Sequence, residues 1–116
     1  MKNNPISSDS IKFMKLGNNK PGEYRTVFLD EIDESDTFRL RKPPYPDLDA
    51  LGEEIQAIGQ HTPLFVRPKG ERYELISGYR RRAALEKIGE PRANVRLFDV
   101  TDEEGLFLAL SETRDR

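Results

Sequence analysis

Arg80, Arg81 and Arg82 follow Ser77 and Gly78 directly, and residues of these types in this order suit one chemistry above others, the holding of phosphate. Guanidinium forks take phosphate oxygens two at a time, and a glycine lets an anion approach the backbone N–H groups closely. The spacing of Ala84, Leu85 and Ile88 puts the three arginines in the first turn of a helix. That end of a helix already presents about half a positive charge, so three cations there repel the dipole and each other. A bound polyanion removes the conflict. The same residues also fit a solvated basic face, in which Arg82 pairs with Glu86 four residues on.

The elements that must position this turn follow from periodicity. Tyr73 to Ile76 alternates as a strand, Ser77 is placed to cap the helix, and Gly89 is placed to end it. Before it, Leu48, Leu51, Ile55 and Ile58 recur three and four apart in a helix from Asp47 to Gly59, with Asp47 or Asp49 as its cap. Pro63 to Arg67 reads as a buried strand closed by a turn at Pro68, Lys69 and Gly70. Tyr24 to Leu29 and Asn94 to Phe98 supply two more strands. Thr101 to Glu104 has the spacing of a capping box, opening a helix with Leu106, Phe107 and Leu110 on its apolar side. The sum is an α+β domain, a small mixed sheet of about four strands with three main helices.

Residues 1–23 are expected to form a flexible arm, in which Ile11 to Leu16 is a short strand or docking segment, and residues 24–116 form the domain. The last helix meets no stop signal before Arg116, so the domain is expected to belong to a longer protein or to be covered there by a partner.

Three further features bear on chemistry. Arg39, Arg41 and Lys42 form a second basic cluster beside Phe38 and Tyr45, on a connector stiffened by Pro43, Pro44 and Pro46, and suit nucleotide contacts or a plain exposed linker. The acids Glu31, Asp33, Glu34 and Asp36 lack the turn glycine of a hard-cation loop and read as solvated surface. His61 has no second histidine or cysteine to make a catalytic set and reads as a loop residue.

The chain has 116 residues and no cysteine, which excludes disulfides and thiolate chemistry. Nineteen basic residues stand against 21 acidic ones. With a pI near 5.5, the whole chain is not expected to bind duplex DNA by itself. No apolar run is long enough to span a bilayer and the N-terminus lacks a signal-peptide core, so no membrane partner and a cytoplasmic location are expected.

In their order along the chain, three segments resemble the boxes of the N-terminal domain of the ParB family, a fold shared with sulfiredoxin. Gly59 to Pro68 is similar to a Gly-x-x-Gln-Pro-Ile-x-Val-Arg-Pro box, Gly78 to Ala84 to a Gly-Glu-Arg-Arg-x-Arg-Ala motif, and Ala109 to Arg116 to a Glu-Asn-x-Gln-Arg motif. The resemblance implies a domain that binds CTP or another nucleoside triphosphate with magnesium, and whose nucleotide state governs clamping of two protomers over DNA. It implies that Ser77, Gly78, Tyr79, Arg80, Arg81 and Arg82 surround the phosphates, and that Thr62, Pro63 and Arg67 lie along the pocket. Glu112, Thr113 and Arg116 would complete it, with Glu112 as metal ligand and catalytic acid.

This chain departs from those motifs. Tyr79 stands for the Glu, Ala83 for the third Arg, Thr62 for the Gln, Thr113 for the Asn and Asp115 for the second Gln. Binding with little hydrolysis is therefore expected, with Arg82 standing in for the missing arginine. Sulfiredoxin activity needs a cysteine and is set aside. Two other functions fit the same residues: a ParB-like metal-dependent nuclease using Glu112 or the acidic segment, and a nucleotide-independent module for DNA backbone or a protein partner. In the first reading DNA recognition falls to parts outside this chain, with self-association or a protein partner.

Overall fold

The computed structural model describes residues 21–114, with side chains to Glu112. The elements run β1 (Glu23–Phe28), a 3-10 turn (Leu29–Glu31), β2 (Ile32–Asp33), α1 (Leu48–Ile58), β3 (Leu64–Lys69), β4 (Arg72–Ser77), α2 (Tyr79–Lys87), β5 (Arg92–Leu97) and α3 (Asp102–Arg114). The arm expected at Ile11 to Leu16, the Thr113 side chain and Arg116 lie outside the described residues.

The five strands form one mixed sheet in the order β1-β5-β3-β4-β2. β1 pairs antiparallel with β5, β5 parallel with β3, β3 antiparallel with β4, and β4 parallel with β2. The fifth strand corrects the expectation of about four. It is the two-residue β2, inside the acidic segment and too short to carry a period. Arg72 holds it in place, bonding both Asp33 oxygens at 2.8 and 2.9 Å and the Asp30 carbonyl at 2.6 Å.

Pro68 and Lys69, expected in a turn, instead lie inside β3, and the hairpin turns at Gly70 and Glu71. The Val66 carbonyl accepts the Phe98 N–H at 2.8 Å, so Pro68, two residues on, faces the same edge. β5 pairs only as far as Val66, and a proline past that point removes no ladder bond.

Helix ends follow the sequence in part. Thr101 and Glu104 make the reciprocal capping box, at 2.8 and 3.2 Å. α2 closes with the Gly89 N–H on the Glu86 carbonyl and the Glu90 N–H on the Leu85 carbonyl, with Gly89 at φ 77°. That is a Schellman motif, and it explains why glycine stands there. The two side-chain N-caps are corrections. Asp47 occupies the cap position of α1 at φ 57° without a side-chain cap bond, and Ser77 is the last residue of β4, leaving Gly78 as the cap of α2.

α1 and α2 cover one face of the sheet, where Leu64, Val66, Leu75 and Val95 pack with Ile55, Ala84 and Leu85. The other face carries a smaller cluster, Phe38, Phe65, Ile76 and Ala109, with Phe98 and Leu106 against it. Each fully buried side chain contributes about 1.5–3 kcal/mol, so these two layers hold the strand-to-helix turn rigid from both sides.

Candidate functional site

The turn between β4 and α2 is shaped by Gly78, whose φ of 103° is open to glycine and strained for other residues. A Cβ there would meet Leu64 Cδ2 at 2.8 Å, so the backbone lies directly on β3. No side chain caps α2, and its first N–H groups have no partners within the helix. Around this turn lies a cleft lined by Ser77, Gly78, Tyr79, Arg80 and Arg81 on one side. Phe38, Leu40, Arg41 and Tyr45 of the connector form another wall, and Ile76 and Ala109 lie beneath.

The two basic clusters that are separate in sequence thus meet, since Arg41 faces the same cleft as Arg80 and Arg81. Arg80 is oriented by the connector, donating from Nε to the Pro46 carbonyl at 2.6 Å and from Nη2 toward the Asp47 carbonyl at 3.4 Å. The connector is therefore a wall of the cleft and carries its apolar lining. Sequence reasoning named Arg41 and Tyr45 as nucleotide-suited but had no signal tying them to the arginine turn. Phe38 differs from its expected exposed role: it is fully buried in the second core.

Tyr79 replaces an acid with a buried hydroxyl. That hydroxyl accepts the Ser35 N–H at 3.1 Å and lies 3.0 Å from the Ser35 carbonyl and 2.8 Å from the Leu75 carbonyl, to which its proton can be donated. Burial pushes its pKa up to about 12. The Arg39 guanidinium lies 5.9 Å above its ring, and Arg39 is tied to Glu34 and Asp36 at 3.0 and 2.7 Å.

Several expected site residues stand elsewhere. Arg82 turns away from the cleft, donating to the Ile32 carbonyl at 3.0 Å and lying 3.4 Å from Glu86. The i, i+4 pair is present, and beneath it Arg82 fastens α2 to β2. Arg67 braces the start of α3, bonding Glu74 at 2.8 Å, Asp102 at 2.6 Å and the Val100 carbonyl at 3.1 Å, with its guanidinium 4.7 Å above the Phe38 ring. Burial alone would push the Glu74 carboxyl up, but hydrogen bonding from Ser35 and Arg67 outweighs it and holds Glu74 below the usual carboxylate range.

Thr62 and Pro63 immediately precede Leu64, the residue under Gly78, and do not line the cleft. Glu112 lies three residues beyond the cleft residue Ala109, on the same side of α3. Among the described residues no three His, Cys, Asp or Glu side chains converge as metal ligands. His61 is an exposed loop residue 3.7 Å from Glu54.

The architecture recurs in solved structures. Sulfiredoxin from Arabidopsis thaliana superposes with a TM-score of 0.60 at 25% identity, covering 76% of this chain and 97% of that one. The C-terminally truncated chromosome-partitioning protein ParB from Caulobacter crescentus, complexed with CTP-gamma-S, superposes with a TM-score of 0.73 at 22% identity, over 82% of this chain and 54% of that one. The same protein complexed to the centromeric parS site gives 0.65 at 20% identity, over 79% and 48%. The fold is thus the α+β class shared by ParB and sulfiredoxin.

Within that class the chain belongs to the ParB N-terminal domain family, which matches residues 15–114. The probable plasmid-partitioning protein ParB of Thermus thermophilus is 37% identical over 84 residues, 70% of this chain. This chain spans 28% of that relative's length. Among the described residues no helix is long and apolar enough to cross a membrane.

Proposed function

We propose that this chain is the nucleotide-binding module of a larger partition or DNA-regulatory protein, taking the phosphates of CTP or another nucleoside triphosphate at the turn from Gly78 to Arg81. The observation that carries the reading is the union in one cleft of Arg41, Arg80 and Arg81 with an apolar wall of Leu40, Tyr45 and Ile76. Uncapped N–H groups and guanidinium forks suit the phosphates, while the apolar wall suits a base and sugar. The Caulobacter relative complexed with CTP-gamma-S supports the choice of nucleotide. Its complex with parS supports a DNA-linked role, with the recognition of duplex DNA falling to parts beyond this chain.

Binding is the function proposed, with hydrolysis secondary. Tyr79 supplies no carboxylate, and its hydroxyl is committed to Ser35 and Leu75. If magnesium accompanies the nucleotide, Glu112 is the candidate protein ligand, with Thr113 and Arg116 beyond it on the motif.

Calorimetric titration with CTP, ATP and GTP in the presence of magnesium tests the reading on wild type and Arg80→Ala. One nucleotide is expected to bind and to lose at least tenfold in affinity in the variant. Absence of binding overturns it, and salt-sensitive binding of duplex DNA that Arg80→Ala weakens, with no nucleotide bound, would replace it with the interaction-module reading.

A further inference from the structure

The half of the sheet that α3 leaves uncovered carries an ordered pattern. On β1 and β5 the residues turned away from the main core oppose one another as Tyr24 with Arg96, Thr26 with Asn94, and Phe28 with Arg92. Directly opposed side chains in an antiparallel pair share a face and are in contact range. Two aromatic–arginine rungs therefore flank a hydroxyl–amide rung. Tyr24 is 69% exposed and Phe28 54% exposed, the largest exposed rings on the sheet. They stand about 13 Å apart, at about 3.3 Å per residue.

Two of the three rungs are held in place by neighbouring side chains and backbone. The Arg96 guanidinium lies 5.2 Å from the Tyr24 ring, 5.4 Å from Phe65 and 5.3 Å from Phe98, and its Nε donates to the Gly22 carbonyl at 3.0 Å. Asn94 is fixed by the Gln60 side chain, which accepts its N–H at 2.8 Å and donates to its carbonyl at 2.9 Å, and by the Thr26 hydroxyl at 3.0 Å. Among the described residues, Arg39, Arg67, Arg72 and Arg82 are each paired with carboxylates. Arg92 and Arg96 form no such pair with any described residue.

We infer that this face is a docking surface for single-stranded nucleic acid. Unstacked bases would lie on Tyr24 and Phe28, and phosphates would meet Arg92 and Arg96. Aromatic rings interleaved with guanidinium groups on an open sheet are what a single strand engages, since each base has a face to stack and each linkage a charge to neutralise. A duplex keeps its bases stacked and offers this flat surface only its backbone. The N-terminal segment of the chain is the less suited occupant. Residues 1–20 contain Lys2, Lys12, Lys15 and Lys20 against the single acid Asp9, the same sign as the face, and would instead add to its attraction for a polyanion.

The test is fluorescence anisotropy with a labelled single-stranded mixed-pyrimidine DNA of about 15 nucleotides, a length in the range such surfaces accept, compared with the same sequence as a duplex. The single strand is expected to bind more tightly than the duplex, with affinity falling as salt rises. Tyr24→Ala and Phe28→Ala are each expected to weaken it about tenfold, and Arg92→Glu to weaken it and flatten the salt dependence. Ile58→Ala, an exposed apolar change on α1, is expected to leave it unchanged, as is Arg80→Ala in the nucleotide cleft. Absence of single-strand binding overturns the inference, as does equal affinity for the duplex. Loss in Arg80→Ala but not in Tyr24→Ala would place the oligonucleotide in the cleft and also overturn it. So would a wild-type dimer that Tyr24→Ala dissociates without changing oligonucleotide binding.

Discussion

The Tyr79 hydroxyl accepts the backbone N–H of Ser35, 44 residues earlier in the chain, at 3.1 Å. A residue in the arginine turn therefore fixes the start of the connector that forms the opposite wall of the cleft, and the two walls are one mechanical unit.

Tyr79→Phe keeps the ring and removes the hydroxyl, leaving the Ser35 N–H and two carbonyls short of a partner. The expected loss is about 1–3 kcal/mol of stability, read as a lower urea midpoint with unchanged slope. The hydroxyl also has a pH signature. Its pKa is raised from 10.0 to about 12 by burial, so the folded state holds this proton more firmly than the unfolded chain. The associated stability is fully present below pH 10 and is lost as pH rises toward 12. Absorbance titration is expected to show a late tyrosine ionisation in the wild type that is missing from the variant.

Periodicity and apolar runs made the existence of α1, β3, β4 and α3 legible, but not the face α3 buries: Phe107 and Leu110, read as its apolar side, are 73% and 51% exposed, and Ala109 packs inward. β2 has two residues and owes its existence to Arg72, a contact across 39 residues that no local pattern encodes. The arginine turn was readable from the charge placed at a helix start. The roles within it were not, because successive helical residues point about 100° apart. Arg80 and Arg81 line the cleft, whereas Arg82 lies against β2. Arg67 was expected in the pocket from its motif position, yet its direction is set by Glu74 and Asp102, one of them 35 residues away.

Gly78→Ala tests how tightly the turn is drawn onto β3. The added Cβ meets Leu64 Cδ2 at 2.8 Å, and φ is 103°. A left-handed conformation alone costs about 1–2 kcal/mol for a residue with a Cβ, and the Leu64 contact adds to it. Lower thermal stability is expected together with weakened nucleotide binding, since the N–H groups shift with the backbone. Unchanged melting would show that the turn relaxes freely.

Arg67→Met leaves the nearly buried Glu74 carboxylate without its closest partner, with only the exposed Lys69 at 3.7 Å and Ser35 to offset its charge, and a loss of at most about 3 kcal/mol is expected. In the wild type Glu74 is held below its ordinary 4.5, so its contribution is present above that pH and is lost as pH falls below it. The variant is expected to lose stability at neutral pH, and acid is expected to lower its melting temperature less than it lowers that of the wild type. Glu74→Gln with Arg67→Met should recover part of the loss, because it removes the stranded charge.

Arg80 and Arg82, two residues apart, are expected to separate binding from stability. Arg80 makes its bonds to connector carbonyls on the exposed side, so Arg80→Ala should melt close to wild type while nucleotide affinity falls at least tenfold. Arg82→Ala strips the donor from the Ile32 carbonyl and removes the ion pairs to Glu34 and Glu86. A loss of about 1–3 kcal/mol is expected, with nucleotide affinity largely kept at a temperature where the variant is folded. Melting curves and calorimetry on the two proteins decide it. The reverse pattern, a stable Arg82→Ala that no longer binds, would mean that Arg82 leaves β2 for the phosphates and that its carbonyl contacts belong only to the nucleotide-free state.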